Sequence, residues 1–222
     1  KRNSRKVILY LLLSLMSFSF LKSLHDVIRY NGVDLRPKIT GARAIVEGLD
    51  PYAINWKPGM SERLLDPKEG HPPGPARVTY SPMLVLSYVP FSFLEYDKIR
   101  VLWWLIEWVL MIVSIYILFG LIKDKDSKFY FLVISIFFFC CSYMWRLHLE
   151  RGQYYILLTA IISLILHLFN KKDKDTFIGL LFGLLISFRI TYSPIIIFLF
   201  VFKKFKISIV STLTLLVLVV FS

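Results

Sequence analysis

The sequence has few cysteines and lacks the short glycine motifs that soluble nucleotide-dependent enzymes carry. Its two cysteines, Cys140 and Cys141, are neighbours inside an apolar run, where a structural disulfide between them is geometrically awkward. The patterns Gly-x-Gly-x-x-Gly, Gly-x-x-x-x-Gly-Lys and Gly-x-Ser-x-Gly do not occur. Their absence disfavours a soluble nucleotide-sugar transferase, an ATP-driven pump and a lipase.

Charged residues are also sparse, at 19% of the chain, and they are unevenly placed despite a net charge of +12. Thirteen of the 27 lysines and arginines fall in four clusters that border apolar runs, at 1–6, 123–128, 171–174 and 203–206. Such clusters are typical of cytoplasmic segments that face anionic lipid headgroups. No basic patch with interleaved aromatic residues occurs, so membrane lipids are expected partners and nucleic acid is not.

Apolar residues are abundant instead. They make up 56% of the 222 residues and form runs of about 15–24 residues, close to the roughly 20 that a helix needs to cross a bilayer. The sequence therefore predicts an all-α polytopic membrane protein with a single transmembrane domain over residues 1–222. Because the last apolar run stops at Ser222, we expect this domain to be the N-terminal part of a longer module.

The predicted membrane spans are Val7–Leu24, Ile99–Ile122, Phe129–Trp145, Tyr154–Phe169 and Ile207–Ser222, of which the last is barely long enough. A further apolar stretch, Phe177–Phe202, is interrupted around Arg189. The interruption predicts a hairpin of two half-length helices with Arg189 near its tip. Basic residues ahead of Val7 place the start of the first helix in the cytoplasm, so the chain emerges outside near His25.

Residues 25–80 form a predicted extracytoplasmic loop that holds seven of the ten prolines. Within it, the sequence predicts a helix over 37–48 with one apolar face, and we expect this helix to lie on the outer membrane surface. Its Lys38 and Arg43 would then approach lipid phosphates. Asp50 precedes a proline and is interpreted as a structural turn residue, and the rest of the segment is expected to be an ordered loop.

The run Tyr80–Leu94 decides the topology, because it is short and contains two prolines. If it crossed the membrane, the lysine clusters at 123–128 and 171–174 would lie outside. If it does not cross, all four basic clusters lie in the cytoplasm, and the predicted loop 146–153 lies outside beside Asp34. The second arrangement agrees with the positive-inside rule and is preferred.

Eight residues of the first loop stand in a recognisable order: Asp34, Gly41, Ala42, Ala44, Gly48, Asp50, Pro51 and Tyr52. Further along come Tyr80-Ser81-Pro82, Gly152-Gln153 at the start of an apolar helix, and Arg189 ahead of Tyr192 and Pro194. Together these elements resemble glycosyltransferase family 87, a GT-C-type family of integral-membrane glycosyltransferases. The resemblance covers most of Asp34–Phe202, although Lys38 and Ile39 replace two tyrosines that are frequent in the family.

The resemblance implies transfer of a sugar from a polyprenyl-phosphate-sugar donor to a hydroxyl of a glycan or glycolipid acceptor. The reaction would take place at the outer face of the plasma (inner) membrane. Asp34 is implied as the general base, with Arg189, Arg146, Arg151 and Gln153 as candidates for binding the donor phosphate. No cofactor is expected besides the lipid-linked sugar, and Asp34 and Arg189 are expected to open onto one cavity.

Supporting roles are assigned to Asp26, Glu107, His148 and Tyr192. Asp26 is a rival general base, and its alternative reading is a solvated interfacial carboxylate. Glu107 lies in the middle of a span and would pair with Arg189 or orient it. His148 and Glu150 form only a weak metal-binding pattern, so no metal site is predicted. Tyr192 accompanies Arg189 in the motif.

The acidic pairs at 124–126 and 173–175 imitate the Asp-x-Asp of soluble nucleotide-sugar enzymes. Both lie in short lysine-rich loops and are interpreted as solvated charge. The alternative to an enzyme is a non-catalytic lipid-handling carrier or a transporter fragment. A carrier would be expected to have charged residues along several spans, and here Glu107 and Arg189 are nearly alone.

Overall fold

The computed structural model describes residues 2–68, 76–169, 171 and 173–220, and within them it contains helices and no β-strand. The α-helices are α1 (Arg2–Arg29), α2 (Arg36–Val46), α3 (Pro82–Leu86), α4 (Tyr96–Leu121), α5 (Lys125–Cys141), α6 (Tyr143–Arg151), α7 (Tyr155–Phe169), α8 (Asp175–Phe188), α9 (Pro194–Val201) and α10 (Phe205–Val220). Short 3-10 helices lie at Glu62–Leu64, Val89–Phe91 and Ile190–Tyr192.

Among the described residues, two helices, α1 and α4, are long and apolar enough to cross a bilayer. Helices α5 and α6 make a third candidate if the 55° bend between them interrupts a single span. These features confirm the prediction of a polytopic all-α membrane protein. The first helix is longer than predicted, because it continues past Leu24 to Arg29, and Asp26 therefore lies inside the helix rather than after it.

The chain divides into two compact units. The first comprises Lys1–Leu35 and Asp97–Leu157, and the second comprises Arg36–Tyr96 and Leu158–Ser222. The first unit therefore contains α1, α4, α5 and α6, and the second contains α2, α3 and α8 to α10, with most of α7.

Side-chain contacts fix the direction of the helices in the first unit. Arg5 of α1 forms an ion pair with Asp126 of α5, so these two helices begin at the same end of the unit. Near the other end, Ser23 of α1 accepts hydrogen bonds from the indole nitrogens of Trp104 (2.9 Å) and Trp108 (3.1 Å) in α4. The chain thus leaves the first unit after α1 and re-enters it at α4 on the same side.

The segment Tyr80–Leu94 is too short to cross a bilayer. It contains α3, of five residues, and a 3-10 helix of three residues. A span needs about 20 helical residues. Both this length and the direction of α1 and α4 agree with the preferred arrangement, in which Tyr80–Leu94 does not cross.

Tryptophans occupy the centre of the core of the first unit. Trp104, Trp108 and Trp145 are each at most 5% exposed. Trp108 and Trp145 meet edge to face with ring centres 6.0 Å apart, and Phe20 lies 4.4 Å from Trp104. Because buried aromatic side chains contribute a large apolar area and favour such tilted contacts, this cluster fixes α1, α4 and α6 to one another.

Helix α2 is largely buried in the second unit, so the predicted approach of Lys38 and Arg43 to lipid phosphates is wrong. Lys38 is fully buried, with Nζ 4.7 Å from the ring centre of Tyr80 and 5.6 Å from that of Tyr88. Arg43 is 8% exposed and donates to the carbonyl oxygens of Arg63 and Leu94, both at 3.0 Å. Burial lowers the pKa of Arg43. Aromatic faces and carbonyl groups of the protein thus replace the expected lipid phosphates.

The interruption predicted near Arg189 is confirmed. Helix α8 ends at Phe188, Arg189 is extended, and α9 begins at Pro194 after one 3-10 turn. The hydroxyl of Ser81 donates to the carbonyl oxygen of Phe188 at 3.1 Å, which satisfies a backbone group at the break. Such breaks in apolar helices persist where the freed backbone groups find partners.

Helices α8 and α10 pack closely through two glycines. A Cβ atom at Gly179 would lie 2.6 Å from the side chain of Val210, and one at Gly183 would lie 2.5 Å from that of Thr214. Small residues spaced four apart allow helix backbones to approach one another in membranes. The two half-length helices of the second unit are therefore supported by a tightly packed neighbour.

Candidate functional site

Helix α6 is the element on which the candidate site is built. Ser142 ends α5 and begins α6, because its side-chain oxygen accepts a hydrogen bond from the backbone N–H of Trp145 at 3.1 Å. The predicted loop 146–153 is thus wrong over most of its length: residues 143–151 form a nine-residue helix. The polar–apolar alternation of this stretch did not indicate a helix. In the structure, Arg146 and Glu150 lie one helical turn apart, with Nε of Arg146 2.5 Å from Oε1 of Glu150.

Gly152 ends α6 in a conformation that favours glycine. Its φ is +67°, in the left-handed region, and the backbone N–H of Gln153 donates to the carbonyl of His148 at 3.1 Å. A Cβ atom at Gly152 would lie 2.8 Å from Cβ of Leu35 and 2.9 Å from Nη1 of Arg100. Glycine is therefore required both for the backbone angle and for the close approach of the residues after α1.

The turn at Gly152 brings Arg151 and Gln153 to Asp34. Arg151 donates to both carboxylate oxygens of Asp34, from Nε to Oδ2 at 2.6 Å and from Nη2 to Oδ1 at 3.1 Å. Nε2 of Gln153 donates to Oδ2 at 3.1 Å, and the backbone N–H of Asp34 donates to the carbonyl of Arg151 at 2.9 Å. An ionised carboxylate is the form that accepts such a set of donors. The structure therefore places three of the predicted site residues together.

Asp34 is accessible in this arrangement. Its side chain is 19% exposed and that of Arg151 is 43% exposed. Asp34 thus combines a fixed orientation with an edge that a substrate can reach. Arg151 and Gln153, which the sequence suggested as ligands of the donor phosphate, hold the carboxylate in this structure.

Arg100 supports the same turn, and sequence reasoning did not identify it. It is 3% exposed and donates to the carbonyl oxygens of Leu149 (3.2 Å) and Glu150 (2.9 Å) at the C-terminal end of α6. It also reaches the carbonyl of Val27 in α1 at 3.4 Å. The sequence signal that could have identified Arg100 is its position one turn into an apolar span, because a buried cation there needs several hydrogen-bond acceptors.

Arg146 points away from the Asp34 group. It lies 3.3 Å from Asp26 of α1 and 2.5 Å from Glu150. Five residues of α-helix rotate a side chain by about 500°, so Arg146 and Arg151 project in directions about 140° apart. The structure thus separates these two predicted phosphate ligands, and it pairs Asp26, the rival base, with Arg146.

Glu107 and His148 form a buried pair in the first unit. Nε2 of His148 lies 3.2 Å from Oε1 of Glu107, and the two side chains are 8% and 0% exposed. The ring of His148 stacks on Trp145 with centres 5.2 Å apart. His148 and Glu150 contact different partners, and among the described residues no group of three or more metal-ligating side chains occurs. The suggested pairing of Glu107 with Arg189 stays a prediction.

The predicted site residues Arg189 and Tyr192 belong to the second unit. Arg189 is half-buried at the C-terminal end of α8, and Tyr192 is half-buried in the 3-10 turn that follows. In the same unit, Oδ1 of Asp50 accepts the backbone N–H of Tyr52 at 2.9 Å. This contact confirms the interpretation of Asp50 as a turn residue.

A family model, glycosyltransferase family 87, matches residues 79–222. The matched region contains Glu107, Arg146, Arg151 and Arg189, whereas Asp34 lies ahead of it. No curated protein matches the chain significantly, and no solved structure does.

Proposed function

The chain belongs to glycosyltransferase family 87, a family of GT-C type, and we propose that it moves a sugar from a polyprenyl-phosphate donor to an acceptor hydroxyl. The sugar would be a hexose or a pentose and the acceptor a glycan or glycolipid. Membership of this family favours a transferase over the non-catalytic carrier that the sequence left open. The donor itself supplies the energy through its sugar–phosphate bond, so the proposal includes no further cofactor.

The arrangement around Asp34 is the observation that carries this proposal. Arg151 and Gln153 hold its carboxylate from one side through three hydrogen bonds, while the side chain stays 19% exposed. A general base must present its oxygen to the acceptor hydroxyl in a fixed position, and such a base accelerates proton transfer by about 10²–10⁴-fold. Asp34 meets this geometric requirement.

The proposed chemistry is a direct displacement with inversion at the anomeric carbon. The acceptor oxygen forms its bond to that carbon while the bond from carbon to the phosphate oxygen breaks. The phosphate leaves with the electron pair, and the hydroxyl proton passes to Asp34. Negative charge grows on the departing oxygen, and a cation placed there stabilises the transition state.

Among the predicted phosphate ligands, we assign this cation to Arg189. Arg151 is engaged with the base, and Arg146 projects from a different side of α6 towards Asp26. Arg189 stands at a helix break, where half-length helices commonly line substrate cavities in membrane proteins. Tyr192 would then be a neighbour of the donor headgroup.

The proposed site faces the extracytoplasmic side of the plasma membrane. In the first unit, α1 and α5 begin at one end beside Arg5 and Asp126, and this end carries the basic residues of 2–6 and the cluster 123–128. Basic clusters mark the cytoplasmic end of a span. Asp34 follows α1 and therefore lies at the opposite end.

The test compares Asp34→Asn with a charge exchange. Sugar transfer by the purified full chain is measured with polyprenyl-phosphate hexose and pentose donors in turn, using a membrane glycolipid extract as acceptor. Asp34→Asn should lower turnover by about 10²–10⁴-fold while the protein still elutes as one folded species. The double variant Asp34→Arg with Arg151→Asp restores an ion pair but moves the carboxylate off the proposed position, so it should stay inactive.

The exchange separates a base from a structural carboxylate. If Asp34 served only to anchor α6, the double variant would recover both thermal stability and transfer. Transfer by the double variant close to that of the native chain would overturn the assignment of Asp34.

A further inference from the structure

Helix α6 is attached to α4 by a buried ion pair that has no role in the chemistry proposed for Asp34. Nε2 of His148 lies 3.2 Å from Oε1 of Glu107, and the two side chains are 8% and 0% exposed. The residues one turn before and after Glu107 on α4, Trp104 and Met111, are 3% and 1% exposed. The pair is therefore a charged contact inside an apolar core.

Stability alone is a weak reason for a buried ion pair. The loss of hydration of two buried charges offsets much of their attraction, and well-packed apolar side chains of similar volume are often at least as stable. An apolar contact has no direction, however, whereas an ion pair holds two particular atoms together. The pair of His148 with Glu107 is therefore better suited to fixing the placement of α6 against α4 than to raising stability.

His148 is joined through its backbone to the residues that hold Asp34. Its carbonyl oxygen accepts the backbone N–H of Gln153 at 3.1 Å, in the turn that ends α6. The side chain of Gln153 donates to Oδ2 of Asp34 at 3.1 Å. The residue whose side chain is anchored on α4 is thus the same residue whose carbonyl holds Gln153 in the turn.

His148 also lies close to the side of α6 that carries Arg151. Three residues of α-helix rotate a side chain by about 300°, so the two side chains project about 60° apart. A rotation of the helix about its axis by about 10° would move an atom at its outer radius, about 5–6 Å, by about 1 Å. A displacement of about 1 Å in a catalytic arrangement can lower a rate by about 10²-fold. The rotation of α6 must therefore be closely fixed if Arg151 is to orient Asp34.

We propose that His148 and Glu107 are positioning residues, whose ion pair sets the rotation of α6 and with it the position of the two side chains that hold Asp34. The inference rests on the proposed function of Asp34 as the base. In this role neither His148 nor Glu107 contacts the substrate. Because the donor phosphate is assigned to Arg189 in α8, the pair should affect the rate of transfer and not the binding of the donor.

The decisive variant replaces the pair with apolar side chains, as Glu107→Met together with His148→Leu. The free energy of unfolding in detergent should equal or exceed that of the native chain, because both buried charges are removed together. Sugar transfer by the purified full chain, with the donors and acceptor used for Asp34→Asn, should show kcat lowered by about 10–10²-fold and an unchanged KM for the donor. A pair needed only for stability would leave kcat unchanged in this variant.

Two further variants test whether the ion pair itself is responsible. Glu107→His together with His148→Glu restores an ion pair between the same two positions and should recover most of the lost kcat. Ser114→Ala is the control, because Ser114 is a buried polar residue two turns farther along α4 whose hydroxyl donates to the carbonyl of Leu110 in the same helix at 2.7 Å. It should transfer sugar as the native chain does. If the apolar double variant does not fold, Glu107→Gln takes its place, since it breaks the ion pair with little change in shape, and the same changes in kcat and KM are expected.

Amide hydrogen exchange gives a measurement that needs no transfer activity. The backbone N–H of Asp34 donates to the carbonyl of Arg151, and that of Gln153 donates to the carbonyl of His148. Both amides should exchange faster in the apolar double variant, while amides in α10 exchange as in the native chain. If the native chain transferred no sugar, the proposed function would fail, and exchange at these two amides would still decide whether the pair positions Asp34.

Three results would overturn the proposal. Native kcat together with native stability in the apolar double variant would show that the pair does not position Asp34. A raised KM for the donor with native kcat would place the effect at donor binding instead. Unchanged exchange at the amides of Asp34 and Gln153 would show that the turn keeps its position without the pair.

Discussion

Two aspartate–arginine pairs attach α6 to its surroundings, and they differ in construction. Asp34 meets Arg151 through two parallel hydrogen bonds and accepts a third from Gln153. Asp26 lies within α1 and meets Arg146 at a single distance of 3.3 Å, and Arg146 is shared with Glu150. The first pair fixes the orientation of its carboxylate, whereas the second is part of a looser charged network.

The difference shows why the two carboxylates are suited to different tasks. A bidentate guanidinium contact constrains both the position and the plane of a carboxylate, which a proton acceptor in catalysis needs. A carboxylate that shares its partner with a second acid can rearrange. Asp34 is accordingly the stronger candidate for the base, and Asp26 for a role in binding or helix contact.

The difference between Asp34 and Asp26 is tested most directly by neutralising each carboxylate in turn. Asp34→Asn is expected to lower sugar transfer by about 10²–10⁴-fold, because the proton acceptor is removed. Asp26→Asn is expected to lower it less than tenfold. Initial rates at saturating donor measure both, with Asp126→Asn as a control at the opposite end of the first unit. A larger loss in Asp26→Asn would reverse the assignment.

The turn that orients Arg151 can be tested through its glycine. Gly152→Ala should destabilise the protein by about 1–2 kcal/mol for the left-handed backbone, and by a further 1–3 kcal/mol because the added methyl meets Leu35 and Arg100. Chemical unfolding in detergent measures this loss, and transfer should fall with it.

Gly48→Ala is the matched control for this change. Gly48 has φ of +71° but no atom within 4 Å of an added Cβ, so only the backbone cost applies. Equal losses in the free energy of unfolding for Gly48→Ala and Gly152→Ala would show that the close approach of Leu35 to the turn does not affect stability.

Arg100→Lys addresses the support behind the Asp34 pair. A lysine cannot reach the carbonyl groups of Val27, Leu149 and Glu150 in the same planar geometry, and each acceptor left unpaired costs about 1–3 kcal/mol. Amide hydrogen exchange should accelerate at the C-terminal end of α6 and remain unchanged in α8. Unchanged exchange in both helices would mean that Arg100 does not hold the turn.

The smallest expected effect is a pH dependence at the start of α5. The backbone N–H of Ser127 donates to Asp124, and this hydrogen bond holds the pKa of that carboxyl below its usual value. The stabilisation is complete above the pKa of the unfolded chain and is lost as the pH falls through the lower pKa of the folded state, below about pH 4. Asp124→Asn should keep the cap and remove this part of the acid dependence, as followed by thermal unfolding between pH 3 and 6.

Much of the fold could be predicted from the sequence because it follows from length and hydropathy. The span Ile99–Ile122 appears as α4, Tyr96–Leu121, and the break at Arg189 appears between α8 and α9. These features depend on local composition, since apolar residues must be long enough to span and a charged residue interrupts them. The directions of α1 and α4 likewise agree with the distribution of lysines.

The sequence was a poorer guide to the burial of charged residues. Lys38 and Arg43 were expected at the lipid surface, but both are buried because distant aromatic rings and carbonyl groups provide their partners. The charged residues between 146 and 151 suggested an exposed loop. They form a helix instead, because Ser142 caps its start and their charged side chains contact the carboxylates of Asp26, Asp34 and Glu107. Local periodicity carries no information about such long-range partners.

The sequence identified residues of the candidate site but not the hydrogen bonds between them. Asp34, Arg151 and Gln153 were all selected from the sequence, and the structure brings them together. The preferred topology also placed residues 146–153 beside Asp34, but the sequence did not specify which side chains bond to the carboxylate. Arg100 was missed because its role depends on the carbonyl groups of a helix end that the sequence did not indicate.

The charged content of α6 has a consequence for synthesis at the membrane. A single arginine, lysine or aspartate at the centre of an inserting helix costs about 2.5–3.5 kcal/mol, and this short segment carries two arginines, a histidine and a glutamate. Their partners Asp26 in α1, Asp34 after α1 and Glu107 in α4 precede α6 in the chain and leave the ribosome first. Helix α6 therefore enters a prepared protein environment rather than lipid, and substitutions at Asp26 or Glu107 should reduce membrane integration of newly made chains even where the finished protein tolerates them.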